Sequence, residues 1–338
     1  MNSTTINTTS VSCGSVPYIS MPILERLSPE LRAVFLFRIA VNAISCPFVI
    51  LLNILVMVAV KTKRQLRTKC NISLASLATT DLVVGLVVQP LLIFHYSFML
   101  KAETDIICSR LAKVTVAITR SCVIASLTHV VILSLERDLA IKHSFAYENL
   151  VTEVRIIVAS GLAWAVAIIF LIEYFWPGNV QYVRILAAVI IQFICYALAV
   201  YLNVSVYREV RRNEKQIISN QVSLVVKEKL LKNKKAFYCT IIVMLTIFMC
   251  YFPESVIVVI LISSVKDSIP INVKHILFHL LSLFSVMNSL FNPLIYAVRI
   301  RYFRVASIQL LWRKTIAQAE QLERNIFGPN QNRVVATA

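Results

Sequence analysis

The sequence predicts an all-α fold: a bundle of seven transmembrane helices, followed by a short amphipathic helix on the membrane surface. Three observations predict it. Of the 338 residues, 58% are hydrophobic and 15% are charged, against about 25% charged in an average soluble domain. Seven stretches reach the roughly 20 mostly apolar residues that a membrane helix needs. The connections between them are short, so no soluble domain fits among the spans, and no repeat with a period of about 20–50 residues is visible. The same composition excludes a disordered chain, and five glycines and ten prolines exclude a collagenous one.

The stretches follow in order. The first, 31–60, carries Asn53 inside Leu-Leu-Asn-Ile-Leu-Val. The second, 72–99, carries Asp81, a mid-membrane carboxylate that is costly unless paired or hydrated. The third, 106–135, runs into Glu136-Arg137-Asp138. The fourth, 155–175, and the fifth, 183–207, are uncharged from Ile156 to Ile172 and from Ile185 to Tyr207. The sixth, 236–264, and the seventh, 272–298, contain Pro253 and Pro293. Each proline removes a backbone hydrogen bond and kinks its span, which makes Pro253 a candidate hinge. After 299, Phe303, Ala306 and Leu310 recur at helical spacing opposite Arg301 and Arg304, the pattern of a helix lying on a leaflet.

Orientation follows from the basic residues of the short loops. The segments 61–69, 137–155, 208–235 and 299–338 hold 24 of the 34 Lys and Arg but only 8 of the 17 acids. All four lie on one side of a seven-span chain, so that side is expected to be cytoplasmic and the N-terminus extracellular, in the plasma membrane. The formal charge of +17 is then attraction to an anionic leaflet rather than a nucleic-acid signal. The expected organisation is an extracellular tail over 1–30, a seven-span domain over 31–298, and an amphipathic helix and tail over 299–338. The start lacks the basic and short apolar regions of a cleavable signal peptide, so the first span is expected to act as the membrane signal. Asn2 and Asn7 match the glycosylation pattern, as an extracellular tail allows.

The motifs in combination are specific. They are Asn53, the run Ser76-Leu77-Ala78-Thr79-Thr80-Asp81-Leu82, Glu136-Arg137-Asp138, Trp164, Cys250-Tyr251-Phe252-Pro253 and Asn292-Pro293-Leu294-Ile295-Tyr296. Each sits in the matching span and in order. In this the chain resembles the rhodopsin-like (class A) G-protein-coupled receptors from Asn53 through the tail. The resemblance implies a receptor that binds an extracellular ligand and activates a cytoplasmic heterotrimeric G protein, with arrestin and membrane lipids as further partners. It implies that Asp81, Asn53, Ser126, Asn288, Ser289 and Asn292 form a polar network holding an allosteric sodium ion, with no other cofactor. The alternative from the residues alone is a protonated or water-bridged Asp81 that knits the bundle. It also implies a switch made of Glu136, Arg137, Asp138, Tyr201, Pro293 and Tyr296, against the plain alternative of an interfacial Arg137 reaching for headgroups.

The sequence departs from the family pattern in several places. The second extracellular loop, roughly 175–182, has no cysteine for the usual bridge to the third span. Cys108 has Cys13 as its extracellular candidate partner, the rival being two free thiols. No cysteine follows the amphipathic helix for a palmitoyl anchor. The fifth span lacks the usual proline, and Lys232, Lys234 and Lys235 stand where an acid would lock Arg137 from the sixth.

Candidate ligand-binding residues are Thr119, Arg120, Val123, Tyr251, Glu254 and His279. Thr119 stands where amine receptors carry an acid, which excludes the ordinary amine salt bridge. His275 to Val298 holds no lysine, which argues against an opsin. Arg120 and Glu254 either pair with each other or contact a polar ligand. No nucleophile, base and metal set appears in the spans, so an enzyme is not expected. A secondary transporter of a small polar solute is the alternative, although seven spans and these motifs fit no paired repeat.

Overall fold

The computed structural model describes residues 28–101, 110–143, 146–175, 181–219, 224–262 and 270–327. These residues form seven long helices: α1 (Pro29–Thr62), α2 (Lys69–Lys101), α3 (Arg110–Lys142), α4 (Glu153–Phe175), α5 (Gln181–Ser219), α6 (Leu224–Ile262) and α7 (Ile271–Arg299). All seven are long and apolar enough to cross a membrane. Two shorter helices follow, α8 (Arg301–Trp312) and α9 (Ile316–Phe327). No strand occurs among the described residues. Asn2, Asn7, Cys13 and Cys108 lie outside them.

Local chemistry sets the ends. Ser28 caps α1, its hydroxyl accepting from the Leu31 amide at 3.3 Å, with Pro29 at the first helical position and Glu30 in the first turn. Thr68 caps α2 the same way on Asn71. α8 ends at Arg313, whose φ of 49° is left-handed; this non-glycine turn lets the chain double back into α9.

α3 is the central helix, packing on α2, α4, α5 and α6, while α1 closes the ring against α2 and α7. The main core gathers Leu74, Leu77, Leu127, Leu133, Val243, Ile247, Tyr251 and Tyr296 between these helices. α4 and α5 keep Ile157, Leu162, Ile169, Leu186, Ile190 and Ile194 exposed, as helices that face lipid do. Gly85 lets α1 and α2 touch: a Cβ there would lie 2.9 Å from Ile50 Cγ1. Beside it, Val84–Val88 is a π-helical bulge in α2. The extra residue re-aims the rest of α2, and Gln89, His95 and Tyr96 are all buried beyond it.

Two expectations change here. α7 begins at Ile271 and so contains Lys274, buried in its first turn, and the seventh helix is not free of lysine. In α8, Phe303 and Ala306 are buried as expected, but Arg304 is buried with them. Its guanidinium donates to Glu323 on α9 and to the carbonyls of Ala297 (3.2 Å) and Val298 (2.7 Å) at the end of α7. Arg301 also donates to Glu323, at 3.0 Å. Burial alone would raise the Glu323 carboxyl, but the two arginines outweigh it and hold it below its ordinary value.

Candidate functional site

The polar residues of the spans fall into three groups along the bundle. In the middle, Asn292 Nδ2 donates to Asp81 Oδ2 at 2.8 Å, joining α7 to α2. Asn53 Nδ2 donates to the Ser289 carbonyl at 3.0 Å, joining α1 to α7. Asn288 Nδ2 donates to the Tyr251 hydroxyl at 3.2 Å, joining α7 to α6. All are buried. Asp81 and Ser126 line a small cavity together with Thr119, Val123, Tyr251 and Ser285. One cavity therefore brings together three of the candidate ligand residues and two of the polar network. Ser126 Oγ, Asn53 Oδ1 and Asn292 Oδ1 are buried oxygens with no partner, the donor set a small cation or water would use.

At one end, Arg137 is buried and held by Glu136. Its Nε donates to Glu136 Oε2 at 2.5 Å and its Nη2 to Oε1. Asp138 does not join them; it pairs with Lys142 at 2.6 Å, one helical turn on. A third partner was not anticipated from sequence. The Tyr147 hydroxyl, on the one-turn helix Tyr147–Leu150, donates to Glu136 Oε1. Burial and the neighbouring carboxylate both push the Tyr147 phenol up, so it remains a donor at any physiological pH. Lys69 holds this turn from α2, its Nζ 4.6 Å above the Tyr147 ring and 2.7 Å from Glu148. Arg67 pairs with Glu153 at 2.7 Å on the surface, and that hydrogen bond raises its guanidinium's proton affinity.

Tyr201 does not reach this group: it is 67% exposed on the outer face of α5. Asn203, two residues on, is the buried one. It donates to Ser134 Oγ on α3 at 2.8 Å and to Met244 Sδ on α6 at 3.3 Å, so it ties α5 to the helices on either side. Tyr296 is fully buried, its ring 6.1 Å from Phe303 and its hydroxyl without a partner. Pro253 and Pro293 lie inside α6 and α7. Trp164 donates to Thr79 Oγ1 at 3.4 Å, fixing α4 to α2.

At the other end, Arg120 and Glu254 are brought together, Nη2 to Oε1 at 3.2 Å, joining α3 to α6. Arg120 also lines a shallow cleft between α3, α4 and α5, with Glu173, Arg184 and an apolar wall that includes Phe170 and Val189. His279 is buried among aromatic rings, its Nδ1 3.2 Å from the Tyr96 hydroxyl. It lines neither of these two spaces. The six candidate ligand residues thus divide among a central cavity, a lateral cleft and a packed cluster. No group of three His, Cys, Asp or Glu that could hold a metal occurs among the described residues.

Known proteins carry the same pattern. The model of the 7 transmembrane receptor (rhodopsin family) matches residues 52–177. The chain is 25% identical to melatonin receptor type 1B-B of Danio rerio over 77% of each chain. It is 22% identical to cannabinoid receptor 1 of Xenopus laevis, over 96% of this chain and 72% of that one. It is 31% identical to the histamine H2 receptor of Canis lupus familiaris over a shorter stretch, 34% of this chain and 31% of that one. With seven membrane-length helices and the motifs in their places, the chain is similar over residues 52–177 to the rhodopsin family of seven-transmembrane receptors.

Proposed function

We propose that this receptor carries a signal from an extracellular small molecule to a heterotrimeric G protein, with its N-terminus outside and the Arg137 end in the cytoplasm. The observation that carries the reading is a series of buried polar groups spaced along the bundle. It runs from the cavity at Thr119, Val123 and Tyr251, through Asp81 and Asn292, toward a latched Arg137. A ligand that prefers the unlatched packing shifts the population toward it. Arg137 then leaves Glu136, α6 swings about Pro253, and the opened crevice and the basic 208–235 segment meet the G protein. The relatives are named for melatonin, cannabinoids and histamine, all small molecules. An amine held by a carboxylate at Thr119 is excluded by residue type, and the central cavity takes no lysine from α7, which leaves no place there for a retinal Schiff base. The Asp81 oxygens and the unpartnered oxygens around them are proposed to hold sodium in the latched packing.

Nucleotide exchange tests this. Receptor in nanodiscs is presented with each class of heterotrimeric G protein, in sodium and in choline buffers. At least one class is expected to exchange faster than with empty discs, and faster in choline than in sodium. Arg137→Ala removes the stimulation in both buffers, and Asp81→Asn removes the difference between them. Absence of exchange with every class, together with solute uptake by receptor proteoliposomes, would return the reading to a transporter.

A further inference from the structure

The half of the bundle that carries Arg120 contains a charge no described residue answers. Arg38 of α1 is 1% exposed and is among the largest fully buried side chains. Its Nη1 donates to the His279 carbonyl at 2.6 Å and to the Ser282 hydroxyl, and its guanidinium lies 4.5 Å above the Tyr96 ring. All three partners are neutral. Its Nε is buried with no partner at all. Arginine cannot shed its proton to escape the interior.

The surroundings add donors rather than a counter-charge. His95, His275 and His279 are buried, and each keeps one ring nitrogen without a partner: Nδ1 of His95, Nε2 of His275 and Nε2 of His279. The rings interlock. His279 lies 5.6 Å from Tyr96 and 6.3 Å from His275, and His95 lies 5.4 Å from Tyr96. Lys274, next to His275, is buried as well. The carboxylate whose charge reaches Arg38 is Glu254, and Arg120 already holds it at 3.2 Å. Among the described residues this half therefore buries Arg38 and Lys274 alongside the single buried carboxylate of Glu254, which the half-buried Arg120 holds. A buried cation without a counter-charge is costly, and inside a span it is by default a functional-site hypothesis whose partner is to be named.

We infer that α1, α2 and α7 form an anion site centred on Arg38, with His95, His275 and His279 as neutral N–H donors and Lys274 beside them. The ligand it takes is a compact monovalent anion, either a free halide or the carboxylate of a small molecule. One uncompensated guanidinium calls for one negative charge. Leu31, Phe35, Leu92 and Met99 pack in the same apolar cluster as Tyr96, so the site is apolar on that side. The π-helical bulge at Val84–Val88 gives the site its second wall, because it turns His95 and Tyr96 inward. The inference rests on burial and charge and stands apart from the G-protein reading.

The test is thermal unfolding of the purified full-length receptor in sodium chloride, sodium acetate and sodium gluconate at equal ionic strength. Gluconate is the bulky anion that does not enter. The midpoint in chloride, acetate or both is expected to exceed that in gluconate by about 5 °C, saturably with concentration. A rise in chloride alone assigns a halide, and a rise in acetate alone assigns a carboxylate. Arg38→Met is expected to show one midpoint in all three salts, no lower than wild type in gluconate, since the apolar chain replaces an unanswered charge. A wild-type midpoint identical in the three salts overturns the inference, and so does an Arg38→Met receptor that keeps the rise. The wild-type comparison needs no variant, so a variant that fails to fold leaves the test intact.

Discussion

The two ends of the bundle treat buried charge in opposite ways. At the Arg137 end, the cation is matched: Glu136 takes it with two hydrogen bonds, and Tyr147 satisfies the same carboxylate from outside the span. At the Arg120 end, among the described residues, the buried cations Arg38 and Lys274 outnumber the one buried carboxylate, and three histidine ring nitrogens have no partner. A matched group is at rest and must be pulled apart to act. An unmatched group is incomplete and changes when something arrives. Each end is open to a mutational test.

The largest expected effect is at Glu254. Glu254→Gln leaves Arg120, whose side chain is 18% exposed, without this carboxylate, and removing one partner of a buried pair costs up to about 3–5 kcal/mol. Surface expression and the unfolding midpoint should both fall steeply. Adding Arg120→Met should recover most of the loss, because an apolar side chain of similar length needs no counter-charge. If both single variants express normally and the pair shows no coupling, the ion pair has no structural weight, and Glu254 is better read as a ligand contact.

At the Arg137 end the effect is smaller and falls on activity. Tyr147→Phe removes one hydrogen bond to a carboxylate, a contact in the range of about 1.5–3 kcal/mol. Glu136 then holds Arg137 alone. Basal nucleotide exchange is expected to rise about tenfold with little loss of expression, since a change near 1.4 kcal/mol in the latched packing is a factor of ten in its population. Unchanged basal exchange would show that the Tyr147 contact is incidental to the latch.

What the sequence made legible differs by the kind of signal. The spans read easily because a long apolar run is a one-dimensional property. The Asp81–Asn292 bond was anticipated because both residues sit in motifs whose order is specific. The phase of α5 was not legible. The helix carries no charge from Ile185 to Tyr207 to mark its buried face, so the sequence does not show that Asn203 is buried and Tyr201 exposed. Tyr147 lies in a loop, where no periodicity singles out a contact. The bulge at Val84–Val88 has no compositional mark, and without it His95 and Tyr96 have no reason to turn inward. Arg38 was legible and overlooked: it is the one charged residue from Ala33 to Val60, which is itself a reason to ask what it binds.

The smallest expected effect extends the comparison to the C-terminal helices, where a cation pair is matched again. Glu323 answers both Arg301 and Arg304, and Arg304 also caps the last carbonyls of α7, so α9 is tied to the end of a span. The carboxyl is held below its ordinary value. Its contribution is therefore fully present above the ordinary carboxylate range, near pH 4.5, and is lost only as pH falls through the lowered value. Throughout physiological pH the tie should be intact in wild type and absent in Glu323→Gln. Amide hydrogen exchange over 316–327 at pH 7 is expected to accelerate roughly tenfold in that variant, consistent with the loss of charge-assisted hydrogen bonds worth about 1–3 kcal/mol. Exchange in the seven long helices should not change. Equal protection of 316–327 in both proteins would mean that α9 is held by Val305, Ile308 and Ala319 instead, and that Glu323 only neutralises the two arginines.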